Sequence, residues 1–547
     1  MDSREIIKRF EALESRRQPW ESLWQQCSDH VLPRSGRNGR QSLIFDSTAP
    51  LALGRFASAL ESMLTPRTQK WHGLVTGDPA ADHNPEVARW CEALRDLMFC
   101  LRYAPEANFA NQMMEAYLSL GVHGTAVIFV DEALGVGLRY KCIPIHECYL
   151  AVDAAGRVDT VFRLYRLSAR QAVSEFGENL PEQILKDAAD PGRMDEKHEF
   201  IHGVFPRGEI SAGRRDPLNM PLASVHVARS SARLVRESGY RTMPYAVSRF
   251  YVEPGGIYGR SPAMDAMPDI VMVNAMNKTL IRAAEKMVNP PLLVPEDDVL
   301  SAFSLKAGSI NYGGLDDQGR QRVAPLQVGG NLPIGLEMIN RSREVINEAF
   351  FLNLFQVLLE KSGQQTATEV VERAKEKAQL LAPTMGRQQA ELLRAVIERE
   401  LDIIINAGGL NLLPPVPGGL PLVGGRLQPQ YTTEMAQAMA SFDSQAVMQS
   451  IQALGLLAQV DPGVMDIIDF DAAGRVVIAS SGVPSIMVRG EEEVKQIRQQ
   501  REAAQAQMAQ AQMMSQGLAE AGTLMDVAGK NAEIEQMMSD SIAAGRQ

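Results

Sequence analysis

The sequence of 547 residues predicts an α+β protein in which helical and strand-rich stretches alternate in blocks. Three observations carry that prediction. The first hundred residues repeat apolar side chains at helical spacing, residues 125–252 switch to short β-branched runs parted by turn residues, and from Ser261 long helical stretches return around an insert rich in Gly and Pro. Hydrophobic residues at 45% and charged residues at 22% supply ordinary core material and exclude wholesale disorder.

Each element has its own local reason. Ile6, Ile7, Phe10 and Leu13 share one face of a first helix, which Trp20 and Trp24 continue after Pro19. Asp46-Ser-Thr-Ala-Pro50 offers an N-cap to a helix over 51–64, and Thr65-Pro66 stops it. Further helices are expected over 84–100 and 109–120, the second ending at Gly121. The β-branched run 125–130 can pair with 135–141 as a hairpin, and Asp153-Ala-Ala-Gly-Arg157 marks a second hairpin within 148–165. The same string with its following Val returns at Asp471 to Val476, where it predicts another turn. Short strands fill 198–252. Pro262 starts a helical stretch that runs to Val288, with Pro268 marking a kink or the true start, and Asn289-Pro-Pro291 ends it. After the Gly- and Pro-rich insert 289–333, a second long helix covers 333–359, so that two helices flank a small head. A third begins at Thr366, is interrupted at Pro383 and resumes over 392–405. A non-helical connector reaches Pro429. The tail from Thr432 is mostly helical, and its last part, 491–547, is a Gln-, Ala- and Met-rich segment expected to need neighbours or to be flexible.

Charge and motifs narrow the function. Lys and Arg total 55 against 66 Asp and Glu, a net of −11 that argues against gripping nucleic acid through a basic surface. Five cysteines without a CxxC pair, Cys27, Cys91, Cys100, Cys142 and Cys148, predict reduced thiols in an intracellular setting. No stretch approaches the ~20 apolar residues of a membrane span. The run 401–425 is broken by Pro414, Pro415, Pro417 and Pro421, and the first residues lack the apolar run of a signal peptide. His198-Glu199-Phe-Ile-His202 spells the HExxH of zinc-dependent hydrolases, which is the alternative reading of this chain. That chemistry needs a helix. Here the context reads as a strand, which would set the two histidines ~13 Å apart on a sheet surface. Asp469-Phe-Asp471-Ala-Ala-Gly474 opens like a calcium loop but lacks the ligands that follow, and Gly529-Lys530 has no phosphate-binding loop before it. No catalytic set, metal site or cofactor is expected. The four tryptophans read as core. Lys278, Arg282 and Lys286 stand at i, i+4 and i+8 and form one cationic stripe.

A family resemblance emerges from a series of segments in order: Pro19-Trp-Glu21 with Val31-Leu-Pro33, Ile44-Phe-Asp-Ser-Thr-Ala49, Leu64-Thr-Pro66 with Trp71 downstream, and Gly121-Val-His-Gly-Thr125. It continues through Asp159-Thr-Val-Phe-Arg163, Val204-Phe-Pro-Arg207, and Tyr258-Gly-Arg-Ser-Pro262 leading to Pro268-Asp-Ile270 and Asn274, and it closes on Thr366-Ala-Thr-Glu-Val370. From Pro19 to Ile405 the chain resembles the portal, or head-to-tail connector, proteins of short-tailed bacteriophages. His72 departs from the pattern, standing where an aromatic residue is expected after Trp71.

The resemblance implies a twelve-subunit ring at one capsid vertex of the virion, assembled in the host cytoplasm, through which double-stranded DNA passes during packaging and ejection. It implies a portal fold: residues 1–262 and 366–430 as the wing, 263–288 and 334–359 as the stem, 289–333 as the clip, 357–365 as the tunnel loop and 431–547 as a mainly helical crown or barrel. The implied partners are the major capsid protein, scaffolding protein, the terminase large subunit and a tail adaptor protein, with no membrane. Twelve copies would carry 132 net negative charges from −11 each, which suits a low-friction conduit with a few cationic spots. The candidates for those spots are Lys361 with Gly363, Gln364 and Gln365 in the tunnel loop, and the stripe Lys278, Arg282 and Lys286.

Overall fold

A computed structural model describes residues 2–32, 44–82, 84–133, 137–208, 216–293, 332–359, 380–417, 427–432, 447–458, 462–480 and 491–544, with Arg489 and short pieces of 304–325. The first helix, α1 (Ser3–Val31), is capped by Asp2, which accepts from the Arg4 amide at 3.0 Å, and runs through Pro19 without ending. It is followed by α2 (Thr48–Leu64), a short strand β1 (His72–Val75) and α3 (Pro85–Arg102), whose N-cap Asn84 accepts from the Glu86 amide at 2.9 Å.

The next helix, α4 (Phe109–His123), passes the stop expected at Gly121 and ends one residue before Gly124. The physical reason is packing. A Cβ on Gly121 would come within 2.5 Å of Leu53 Cδ1, so the missing side chain lets α4 lie close on α2. Gly124 is the real terminator, with φ +71° in the left-handed region that closes helices.

Two antiparallel sheets follow. The strands β2 (Thr125–Ala133) and β3 (Gly137–Ile143) form the first expected hairpin, and β4 (Cys148–Val152) and β5 (Val158–Ser168) the second. Two short helices, α5 (Ala169–Phe176) and α6 (Glu182–Ala189), precede β6 (Lys197–Pro206), β7 (Leu222–Ala228), β8 (Arg233–Tyr240) and β9 (Tyr245–Arg249). Five strands run in the order β4-β5-β6-β7-β8, and three in the order β3-β2-β9. Ile6, Phe10 and Leu13 of α1 cover one face of the larger sheet through Phe162, Ile201 and Val225. Ala172, Phe176 and Ile184 of α5 and α6 cover the other through Phe200 and Tyr165. The alternation of strand side chains explains how Phe200 and Ile201 serve opposite cores.

The chain then turns through Pro262–Asp265 into α7 (Met267–Val288), so Pro268 marks the true start, in the first turn where no amide partner is lost. The insert holds the small pair β10 (Leu292–Leu293) and β11 (Ala324–Pro325). The returning helix is not continuous as expected over 333–359. It divides into α8 (Leu332–Ala349) and α9 (Leu352–Leu359) at Phe351, a non-glycine residue with φ +59°. Phe350 is fully buried at this corner, packed on Phe56 of α2, so core packing holds the break.

Residues 380–388 are helical through Pro383, which does not interrupt them. The irregularity comes later, as a wide π-turn over Gln389–Leu393 before α10 (Arg394–Asn406). That turn faces β9: the Ser248 hydroxyl donates to Gln388, and Arg249 donates to Glu391 from its amide and its guanidinium. A wide turn at a point of dense side-chain anchoring is a recurrent use of this geometry. The connector ends in β12 (Gln428–Tyr431), which pairs antiparallel with β1, a sheet the sequence did not disclose.

In the tail, the turn expected at Asp471 to Val476 is instead inside α11 (Phe470–Ser480), and α12 (Glu491–Ala544) is a helix of 54 residues whose described side chains are largely exposed. Among the described residues no helix is long and apolar enough to cross a membrane.

Candidate nucleic-acid interface

The cationic residues singled out above fall in two places. Lys361, Gly363, Gln364 and Gln365 lie outside the described residues, as does Thr366. Lys278, Arg282 and Lys286 lie on α7, and the structure brings them onto one strip. The helix buries Met267, Ile270, Val273 and Asn277. With 3.6 residues per turn, Arg282 and Lys286 stand roughly opposite that buried face and Lys278 on its flank. Arg282 and Lys286 are exposed; Lys278 is half-buried, its ammonium 5.6 Å from the centre of the Phe45 ring. Of the carboxylates on α7, Asp269 points elsewhere by the same geometry, whereas exposed Glu285, seven residues after Lys278 and three after Arg282, lies on the strip itself.

The strip is held by a clamp at Asp46. Its Oδ2 accepts from Asn277 Nδ2 at 2.7 Å and from Arg343 Nε and NH2 at 3.0 and 2.7 Å, while Oδ1 accepts from the Thr48 amide at 2.9 Å. Next to it, Asn274 Oδ1 accepts from the Phe45 amide at 2.6 Å. Burial alone would raise the Asp46 carboxyl, but the hydrogen bonds from Thr48 and the charge of Arg343 outweigh it and hold the group below its ordinary value. One carboxylate therefore fixes α7, α8 and the start of α2 together. Sequence reading saw Asp46 only as a helix cap, because its other partners are more than two hundred residues away.

A second polar anchor joins the two stretches of chain on either side of this helix pair. Arg102 and Glu400 are both fully buried, and Arg102 NH2 and Nε donate to the two carboxylate oxygens, with Nε at 3.0 Å from Oε1. Tyr140 donates to the same oxygen at 2.7 Å, and Arg102 NH2 lies 2.9 Å from His72 Nε2. The guanidinium stacks against Trp71, Phe99 and Phe109. Burial would lower the pKa of Arg102, but the Glu400 charge more than offsets it. His72 is held neutral by burial and by the Arg102 charge, and its ring packs on Trp71 and Phe99. It thus occupies the aromatic place expected after Trp71 while adding an acceptor for Arg102.

The HExxH spelling lies on β6, as its context predicts, but not on the sheet surface. His202 is buried; its Nδ1 is 2.6 Å from the Tyr245 hydroxyl and its Nε2 3.0 Å from the Ser224 hydroxyl. With both ring nitrogens engaged, no lone pair faces His198, which instead sits 3.2 Å from Asp187 Oδ2. Glu199 pairs with Arg166 and Arg229. This arrangement holds a sheet together and does not fit a metalloprotease site.

The family described as bacteriophage head to tail connecting protein matches residues 3–488. The chain is 30% identical over 543 residues to the probable portal protein of Bordetella phage BPP-1, with 96% of each chain covered. It is also 30% identical over 531 residues to the portal protein of Salmonella phage epsilon15, with 94% of each covered. A solved structure of the neck of an empty GTA particle aligns with 77% of this chain and 90% of its own at 11% identity, with a TM-score of 0.38.

Proposed function

The chain belongs to the family of bacteriophage head-to-tail connecting proteins, and from that premise we propose how its architecture serves a portal. It is a structural part of the virion at the capsid vertex. Copies of it close into a ring of twelve, and double-stranded DNA passes through that ring during packaging and ejection. The observation that carries the reading is likeness to portal proteins over nearly the whole of both chains rather than over one domain.

The parts divide accordingly. Residues 1–262 and 366–430 make the wing, and the Arg102–Glu400 pair is the buried tie between its two stretches. The antiparallel α7 and α8, anchored at Asp46, make the stem, and 289–333 between them the clip. The exposed helix α12, about 81 Å long at 1.5 Å per residue, finds neighbours in other copies and builds the crown or barrel with the rest of 431–547. The clip receives the terminase large subunit during packaging and a tail adaptor afterwards. Scaffolding protein and the major capsid protein meet the ring during assembly.

The net charge of −11 per copy keeps DNA from adhering along the channel, because each phosphate contact strengthens binding. The tunnel-loop residues Lys361, Gly363, Gln364 and Gln365 are the proposed points where phosphates are touched. The stem residues Lys278, Arg282 and Lys286 are the other cationic candidates. Electron microscopy of the purified protein, viewed down the symmetry axis, tests the reading. A closed ring near twelvefold with a pore admitting a duplex of ~20 Å supports it; monomers under every assembly condition, scaffold included, refute it.

A further inference from the structure

We infer that one water molecule is bound at the junction of α1, α2, α7 and α8, where it links His30 to the Asp46 clamp. The inference rests on the fold of the single chain and goes beyond the ring reading above.

The four helices meet around a cavity of about 10 Å³. His30 in the last turn of α1, Asp46 just before α2 and Asn274 on α7 form its polar wall. Ala49, Ile270 and Ile346, all buried, form the apolar one. A cavity of roughly 10–15 Å³ holds one water and nothing larger, provided that two to four polar groups face it. Cavities that stay dry are lined by apolar groups alone. This one is not.

Each polar group has a side to offer. His30 Nδ1 lies 3.1 Å from the Gln26 carbonyl. A carbonyl only accepts, so Nδ1 carries the proton and Nε2, on the outer edge of the ring, is an acceptor in the neutral imidazole. The Asp46 side chain is only 7% exposed. Its Oδ2 already takes Asn277 and two donors of Arg343, whereas Thr48 is the one donor residue on Oδ1 among the described residues. A water that gives one hydrogen to His30 Nε2 and the other to Asp46 Oδ1 satisfies both, with the amide of Asn274 beside it as a third partner. Among the described residues His30 makes no ion pair or hydrogen bond with Asp46 itself.

The charges select water over an ion. Arg343 sits on Asp46 at 2.7 Å and the Lys278 ammonium lies over the adjacent Phe45, so a further cation would face two positive groups across one carboxylate. An anion would face the carboxylate itself. A neutral molecule with two donors fits. Its effect is to extend the clamp, since Asp46 by itself reaches α2, α7 and α8, and the water adds the end of α1. The other end of α1 covers the larger sheet through Ile6, Phe10 and Leu13, so one bound molecule ties that helix to the α7 and α8 pair.

The test has two arms, both on the full-length protein. In an electron-microscopy map sharp enough to show ordered water, a density peak should stand within hydrogen-bond distance of Asp46 Oδ1 and His30 Nε2. A cavity without density overturns the inference, and so does a His30 ring that reaches Asp46 directly. The second arm compares hydrogen exchange in the parent, His30→Phe, Asp46→Ala and the double variant, with folding checked by circular dichroism. His30→Phe should lower protection in the last turn of α1 and in α7 about fivefold, the factor of one net hydrogen bond. On the Asp46→Ala background it should change protection little, because the bridge is already lost. An equal drop on both backgrounds overturns the inference. If a variant does not fold, the map of the parent decides.

Discussion

Acidification should loosen the five-stranded sheet at one identifiable place. His202 on β6 and His226 on β7 are paired across the strands, and their rings stack with centroids 4.1 Å apart and planes 3° from parallel. His202 is held by Tyr245 and Ser224, and His226 Nδ1 lies 3.1 Å from the Tyr165 hydroxyl. Burial, then the neighbouring Arg236 and Arg163, lowers His226 to about 3; burial, the His226 ring and the same arginines hold His202 well below its ordinary value. Both are neutral in the folded chain. An unfolded histidine takes up its proton near pH 6.5, so the folded state has its full stability above about pH 7 and loses it as the pH falls toward 3. For His226 alone the loss is about 1.4 kcal/mol at pH 5.5 and about 3.3 kcal/mol at pH 4. His202 adds a loss of the same sign. Hydrogen exchange of peptides from β6 and β7, corrected for the intrinsic rate, measures it directly. Protection should fall about tenfold or more between pH 7.5 and 5.5, since about 1.4 kcal/mol is tenfold in an equilibrium. His226→Gln should remove part of that drop. Protection that is the same at both pH values would refute the reasoning.

Further outcomes follow from other contacts. Glu400→Gln leaves the buried Arg102 charge uncompensated and should cost about 3–5 kcal/mol in denaturant unfolding, while replacing both residues by apolar ones of similar size costs much less. Asp46→Ala releases Arg343, Asn277 and the Thr48 amide at once; it should lower stability by about 2–4 kcal/mol and raise exchange in α7 and α8 more than in the sheets. Because the Asp46 carboxyl is held below its ordinary value, its contribution is present above about pH 4 and fades as the pH falls further. Gly124→Ala sets a Cβ within 2.4 Å of Gly259 O and the Arg260 backbone at φ +71°, where nothing flexible can yield; the expected result is a chain recovered mainly in the insoluble fraction, measured by expression and solubility. Gly121→Ala, which meets mobile side-chain atoms of Leu53 and Phe56, should be the milder change by the same measure.

Much of the architecture was legible locally. Asn84 caps its helix, Pro268 stands at a helix start, the two hairpins form where β-branched runs meet turn residues, and His198 to His202 lies on a strand because the apolar run Phe200, Ile201, Val204 and Phe205 is buried on both faces. These are signals carried by a handful of adjacent side chains. Helix ends decided by packing were not legible: Gly121 reads as a stop but is a contact, and Phe351 reads as helix interior but is a corner.

The string Asp-Ala-Ala-Gly-Arg-Val shows where the division lies. At Asp153 its carboxylate accepts from the Ala155 and Arg157 amides at 2.8 and 2.9 Å, Gly156 takes φ +78°, and the flanking β4 and β5 close a turn. At Asp471 the same six residues continue a helix that Asp469 caps by accepting from the Asp471 and Ala472 amides. Local sequence set which backbone states each residue could enter. The neighbours chose between them, because a turn is stable only where two strands already pair, and a helix only where something upstream satisfies its first amides. The same holds at the larger scale. Periodicity and breakers alone determined two helices around an insert, but Asp46, Asn277 and Arg343, or Arg102 and Glu400, become partners only when the tertiary fold brings distant segments within hydrogen-bond range.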